Sequence, residues 1–185
     1  MTLQFRRVVT GHDKSGLAVV KEDKEIVAGE RLPGYFASTV WCTTQFPVDN
    51  DEHSIGDSGP GEKGSRVLMR IGEMRADAPA SHQMHRTESL DYAVILSGEC
   101  EMRLDSGETV KRLKAGDVVI QRGTNHAWIP VGSEPCRLLF ILIDAKPVIC
   151  GDKVLGEFLD NFAGQIHPQG TESPIECSSC QLEIA

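Results

Sequence analysis

The sequence predicts an all-β domain, a sandwich or barrel of short antiparallel strands. Three observations predict it. From Arg66 onward, short runs rich in Val, Ile, Leu and Cys follow one another. Turn-forming residues separate them: Gly98, then Asp105-Ser106-Gly107, then Lys114-Ala115-Gly116-Asp117. Only Lys153 to Phe162 carries apolar residues at helical spacing, namely Val154, Leu155, Phe158, Leu159 and Phe162.

The elements are expected in this order. Arg7 to Thr10, Ala18 to Lys21 and Thr39 to Thr44 are rich in Val, Thr and Trp and read as strands. Pro47 to Ser65 carries Asp, Gly, Ser and Pro and reads as a long surface loop, with a lid over a pocket as its functional alternative. Strands are then expected at Val67 to Glu73, Tyr92 to Leu96, Cys100 to Leu104, Thr109 to Leu113, Val118 to Gln121, Ala127 to Val131 and Cys136 to Ala145. Lys153 to Phe162 is expected to be a helix packed on the barrel or on a second subunit. Residues 1–65 thus form N-terminal strands and a loop, 66–150 the barrel, and 151–185 a helix and tail.

Composition narrows the function classes. The 185 residues are 40% apolar and 25% charged, which fits one soluble domain. Lys plus Arg is 19 against 27 for Asp plus Glu, a formal charge of -8. That balance argues against nucleic acid and anionic membrane partners, which select basic patches. The longest clean apolar run, Leu138 to Ile143, is far below the roughly 20 residues a membrane helix needs. Met1 to Thr10 lacks an apolar signal-peptide core, so a cytoplasmic protein is expected. Of six cysteines, most lie in apolar stretches, where a free Cys acts as a small hydrophobe. Cys177 and Cys180 have motif spacing but no second pair to complete a zinc site, and read as a tail feature.

Two segments concentrate chemistry. The first is Ser81-His82-Gln83-Met84-His85-Arg86-Thr87-Glu88-Ser89-Leu90-Asp91-Tyr92, followed by an apolar strand and Gly98. The second is Gly116-Asp117, an apolar strand, then Gln121-Arg122-Gly123-Thr124-Asn125-His126-Ala127-Trp128. A long stretch of expected β-structure separates His85 from His126, and only an antiparallel barrel brings them together. Strand alternation puts Ala93 and Ile95 on the face of Asp91, and Trp128 on the face of His126.

These two segments resemble the paired motifs of the cupin superfamily. The first motif there is His-x-His followed by Glu and Gly; the second is a Gly-Asp turn, a strand, a Gly and a His. The sequence resembles in particular small single-domain cupins with a His-Arg-Thr segment before Asp-Tyr and a second motif reading Arg-Gly-Thr-Asn-His-Ala-Trp. The resemblance implies a double-stranded β-helix, or jelly roll, commonly dimeric. Asp91 stands where the family usually has Glu, and Gln83 where it has the first His.

The metal ligands implied by the resemblance are then His85, Asp91 and His126. Two His and a carboxylate suit iron, and zinc, manganese or nickel would also accept them. Gln83, Arg86, Arg122 and Trp128 are the candidate substrate contacts, with the arginines suited to a carboxylate. A slipped register would bring in His82 with Glu88. The implied function is a metal-dependent enzyme acting on a small polyketide-like or aromatic acid substrate, by decarboxylation, dehydration or isomerisation. The alternatives are an iron dioxygenase, a metal-free acid/base enzyme using His85 or His126, and a non-catalytic ligand-binding protein. A homodimer is the expected assembly.

Overall fold

A computed structural model describes residues 3–50, 65–77 and 83–159. The Cys177/Cys180 pair, His82 and most of the Pro47 to Ser65 loop lie outside the described residues.

The chain opens with a hairpin of β1 (Gln4–His12) and β2 (Ala18–Val27). Asp13 closes it, its Oδ1 accepting the Ser15 and Leu17 amides at 2.8 and 3.0 Å. Arg7 fastens the hairpin to the body of the protein. Its buried guanidinium donates to Glu22 Oε1 at 2.7 Å and to the Val40 carbonyl at 3.2 Å, and lies 5.9 Å from the Trp41 ring.

Two antiparallel sheets follow. β3 (Gly29–Leu32), β4 (Tyr35–Thr43), β5 (Val67–Met74), β7 (Ser89–Ser97), β10 (Val118–Arg122) and β12 (Cys136–Asp144) form a six-stranded sheet in the order β10-β7-β12-β5-β4-β3. β6 (His85–Arg86), β8 (Glu99–Leu104), β9 (Thr109–Lys114), β11 (His126–Val131) and β15 (Phe158–Leu159) form a five-stranded sheet in the order β15-β6-β11-β8-β9. From β5 to β8 and again from β9 to β12, consecutive strands alternate between the two sheets, as in a double-stranded β-helix. The core lies between the sheets. Met74, Ala93, Ile95, Cys136 and Leu138 of one meet Cys100, Met102, Leu113 and Trp128 of the other. Cys42, Cys100 and Cys136 are buried, as their apolar neighbourhoods predict.

β7 shows how pattern makes position. Ser89, Asp91, Ala93 and Ile95 are buried while Leu90, Tyr92 and Val94 are only half-buried. The period of two places Asp91 on the inner face and turns Tyr92 away. The turn that ends β7 requires glycine. Gly98 has φ +71°, and a Cβ there would stand 2.4 Å from the Pro135 carbonyl oxygen.

The expected helix at Lys153 to Phe162 is a correction. The described part is extended: β13 (Val148–Cys150) and β14 (Lys153–Leu155) form a hairpin, and β15 adds to the edge of β6. Gly151, at φ +60°, makes the hairpin turn. The apolar spacing misled because Val154 and Phe158 are 66% and 42% exposed, so the described residues form no buried helical face. Residues 160–162 lie outside the described residues. Among the described residues no helix is long and apolar enough to cross a membrane.

Candidate functional site

The site is built from two facing walls. On the six-stranded sheet, antiparallel register aligns Gln121, Asp91, Leu142, Leu68 and Cys42 across five strands. The next row holds Val119, Ala93, Phe140, Arg70 and Thr39. Residues directly opposite in such a pair share a face. Gln121 therefore stands beside Asp91, and both are buried, at 3% and 6% exposure. On the other sheet, β11 pairs with β6 so that His126 lies opposite His85, and with β8 so that Trp128 lies opposite Met102.

The walls touch. Gln121 Nε2 meets Met102 Sδ at 3.9 Å. The Trp128 ring packs edge-on against Phe140 and against His126, each at 5.9 Å between centroids.

The two histidines form a close pair, with ring centroids 4.3 Å apart. His85 Nδ1 donates to the Gln83 carbonyl at 3.2 Å, and His126 Nδ1 donates to the Thr124 carbonyl at 2.9 Å. A carbonyl can only accept, so each ring carries its proton on Nδ1 and its lone pair on Nε2. Burial lowers both pKa values. That of His126 falls to about 3, through burial first and then the neighbouring His85. Both rings are neutral at neutral pH.

Asp91 is driven the other way. Burial raises its carboxyl above the usual range, and hydrogen bonds from Ser89 and Thr87 offset part of that. Thr87 Oγ1 donates to Asp91 Oδ2 at 3.4 Å, while Asp91 Oδ1 is buried with no hydrogen-bond partner among the described residues. Trp128 Nε1 is also buried without a partner among the described residues.

Seven residues expected at the site thus have these places. His85, His126, Asp91 and Trp128 line the interior. Gln83 is half-buried and contributes its backbone carbonyl to His85. Arg86 donates Nε to the Gly156 carbonyl at 2.8 Å, tying the chain before β15 to the site. Arg122 is exposed, one residue out of phase with inward-facing Gln121. Glu88 is exposed as well.

Two neutral histidines with paired Nε2 lone pairs and Nδ1 tied to backbone carbonyls fit two positions of a divalent metal. Among the described residues, however, no three His, Cys, Asp or Glu side chains converge as a ligand cluster. The histidine pair fits a metal; Asp91 as placed does not complete the set.

Sequence reasoning missed Gln121 and Arg70. Gln121 is the polar end of an otherwise apolar strand, and its phase opposite Arg122 was the available signal. Arg70 is half-buried and sits on the inner face of β5, opposite Phe140. Its signal was the alternation with buried Leu68 and Gly72.

Residues 68–142, which carry His85, Asp91, Gln121, His126 and Trp128, match the model of the Cupin domain family. The phomopsin biosynthesis cluster protein C' of Diaporthe leptostromiformis is 38% identical over 168 residues, covering 81% of this chain and 84% of its own. This chain belongs to the cupin family. The cupin is also 34% identical over 167 residues to the cupin-domain-containing oxidoreductase fogC of Aspergillus ruber, covering 85% of this chain and 81% of that one. Among solved structures it is similar to the polyketide cyclase RemF of Streptomyces resistomycificus, with 20% identity, TM-score 0.45, and coverage of 65% and 75%.

Proposed function

We propose that this cupin is an enzyme of secondary metabolism that converts a small organic molecule inside the barrel, with His85 and His126 at its working centre. The observation that carries the reading is the pair of inward, neutral histidines with their lone pairs on Nε2. The relatives support the pathway class. One is named for a biosynthesis cluster and another as an oxidoreductase, which moves oxidative chemistry ahead of lyase or isomerase chemistry.

His85 and His126 would hold a divalent metal, leaving its other positions to water and substrate. Bound there, the metal would supply Lewis-acid or redox chemistry to a substrate oxygen. The chain's own residues do the rest. The Gln83 and Thr124 carbonyls fix both rings, Trp128 and Phe140 exclude water, and Asp91 holds or moves a proton at Oδ1. A metal-free acid/base enzyme is the second reading. It is favoured by the absence, among the described residues, of a third His, Cys, Asp or Glu converging with the pair. A homodimer over the outer face of the β1–β2 hairpin, where Val8, Val20 and Val27 are exposed, accompanies either reading.

The test is product formation from a panel of hydroxylated aromatic and polyketide-like compounds, with and without iron(II), zinc, manganese or nickel. Turnover that falls at least ~100-fold in both His85→Ala and His126→Ala supports the reading, in line with the contribution of a positioned acid/base or ligand. Saturable binding with no product under any metal overturns it in favour of plain ligand binding.

A further inference from the structure

We infer that the barrel interior contains a hydroxyl-recognition subsite built from Asp91, Gln121 and Trp128, and that its ligand is an uncharged ring bearing a hydroxyl group. The inference rests on the reading above in one respect, that a small organic molecule enters the barrel.

Three side chains with polar ends are buried here, at 6%, 3% and 4% exposure. Two of them leave an atom unsatisfied: the acceptor Asp91 Oδ1 and the donor Trp128 Nε1. Buried polar atoms are nearly always paired, and an orphan calls for a specific explanation. A ligand that supplies both partners is one. The indole N–H only donates, so the ligand must present an acceptor to it; a carboxylate oxygen accepts, so the ligand must present a donor. A hydroxyl group does both. Gln121 adds a third contact, because among the described residues its amide nitrogen meets a thioether at 3.9 Å, a weak acceptor that a ligand oxygen would displace.

The surroundings select a neutral, flat molecule. Trp128, Phe140 and His126 present ring edges and faces to one another across the two sheets. The arginines that could take a carboxylate lie elsewhere. Arg86 is engaged with Gly156, Arg122 faces outward, and Arg70 stands two strands from Asp91, about 10 Å at ordinary strand spacing. A carboxylate brought to this corner would face Asp91 rather than a cation.

Calorimetric titration of the full chain with resorcinol, 1,3-dimethoxybenzene and benzoate tests this. Resorcinol and its dimethyl ether share size and shape, but only resorcinol donates hydrogen bonds. The parent should prefer resorcinol over the ether by at least ~10-fold, since sites built to bond a hydroxyl reject analogues lacking it. Asp91→Leu and Trp128→Phe should each shrink that preference to within about 3-fold. Equal affinity for both probes, no binding of either, or an undiminished preference in both variants overturns the inference. So does benzoate binding the parent as tightly as resorcinol, a result that needs no variant to fold. His85→Ala separates the two readings. A retained hydroxyl preference with no turnover in any protein leaves the subsite standing and removes the enzyme. Turnover that depends on His85, with no hydroxyl preference, does the reverse.

Discussion

His85 and His126 face each other across the β6–β11 pair with their rings 4.3 Å apart, and each gives its Nδ1 proton to the carbonyl two residues before it. The repeated arrangement follows from the chain. Each histidine begins a strand directly after a short irregular segment, so a carbonyl that has not yet joined a ladder is within reach of the ring. The result is two rings fixed in one tautomer and kept neutral by burial.

The first prediction concerns pH. His126 has a folded pKa of about 3, against about 6.5 in the unfolded chain. Between those values the unfolded state binds the extra proton, so stability is full above pH 6.5 and is lost as pH falls toward 3. The span is worth on the order of 4 kcal/mol. His85 acts in the same direction. Asp91 opposes them: its raised pKa gives stability that is present below about pH 3.8 and lost as pH rises through the folded value. Urea midpoints between pH 4 and 7 should therefore rise with pH in the parent. They should rise less in His126→Asn, which keeps a donor for the Thr124 carbonyl, and more in Asp91→Asn. A His126→Asn profile as steep as the parent's would show that the His126 ring is not buried neutral.

A second prediction separates the ligand sets. Titration with zinc, manganese, nickel or iron(II) should load one ion per chain. His85→Ala and His126→Ala should each weaken uptake by at least ~100-fold, since either leaves a single imidazole. Asp91→Asn should change it by less than about 3-fold, because Asp91 belongs to no three-residue ligand cluster among the described residues. An Asp91→Asn loss as large as the histidine losses would instead make the carboxylate the third ligand.

Much of this was legible in the sequence. Alternation in Ser89–Ser97 was enough to turn Asp91, Ala93 and Ile95 inward, and Gly98, Gly107 and Gly116 were readable as turns; all three have positive φ. Other parts were not legible because the deciding interaction is long-range. β6 is two residues long and exists through β11 and β15, with no local pattern of its own. The 153–159 segment has spacing compatible with a helix, and pairing of 153–155 with β13 and of 158–159 with β6 overrides it. The place of Thr39 beside Arg70 in the second row depends on a register shift in β4, which no count along the sequence reveals.

The third prediction isolates a close approach of backbone. Gly98→Ala must hold alanine at φ +71° and also set its Cβ 2.4 Å from the Pro135 carbonyl oxygen. Gly107→Ala meets the same left-handed backbone at φ +89°, with nothing within 4 Å. The left-handed conformation alone costs roughly 1–2 kcal/mol, which Gly107→Ala should show. Gly98→Ala should exceed it by at least about 2 kcal/mol, as overpacking a fixed backbone does. Equal losses in urea unfolding would mean that the β7–β8 turn and the start of β12 are not in contact.

The fourth prediction concerns the pair that holds β5 to β12. Glu73 is buried at 2% exposure, and Arg137 Nε donates to its Oε2 at 2.5 Å from a side chain that is 35% exposed. Removing the arginine strands a carboxylate away from water, a change that costs about 3–5 kcal/mol for fully buried pairs. Partial exposure of Arg137 lets water reach the carboxylate and reduces this to roughly 2–3 kcal/mol. Arg137→Met should lose that much. Glu73→Gln should lose less, because a neutral amide still accepts from the guanidinium and carries no charge to strand. The double variant Glu73→Leu, Arg137→Met should recover most of the stability, since replacing both partners by apolar groups of similar size is often neutral. A double variant as unstable as the sum of the two single losses would show that Glu73 and Arg137 are not energetically coupled.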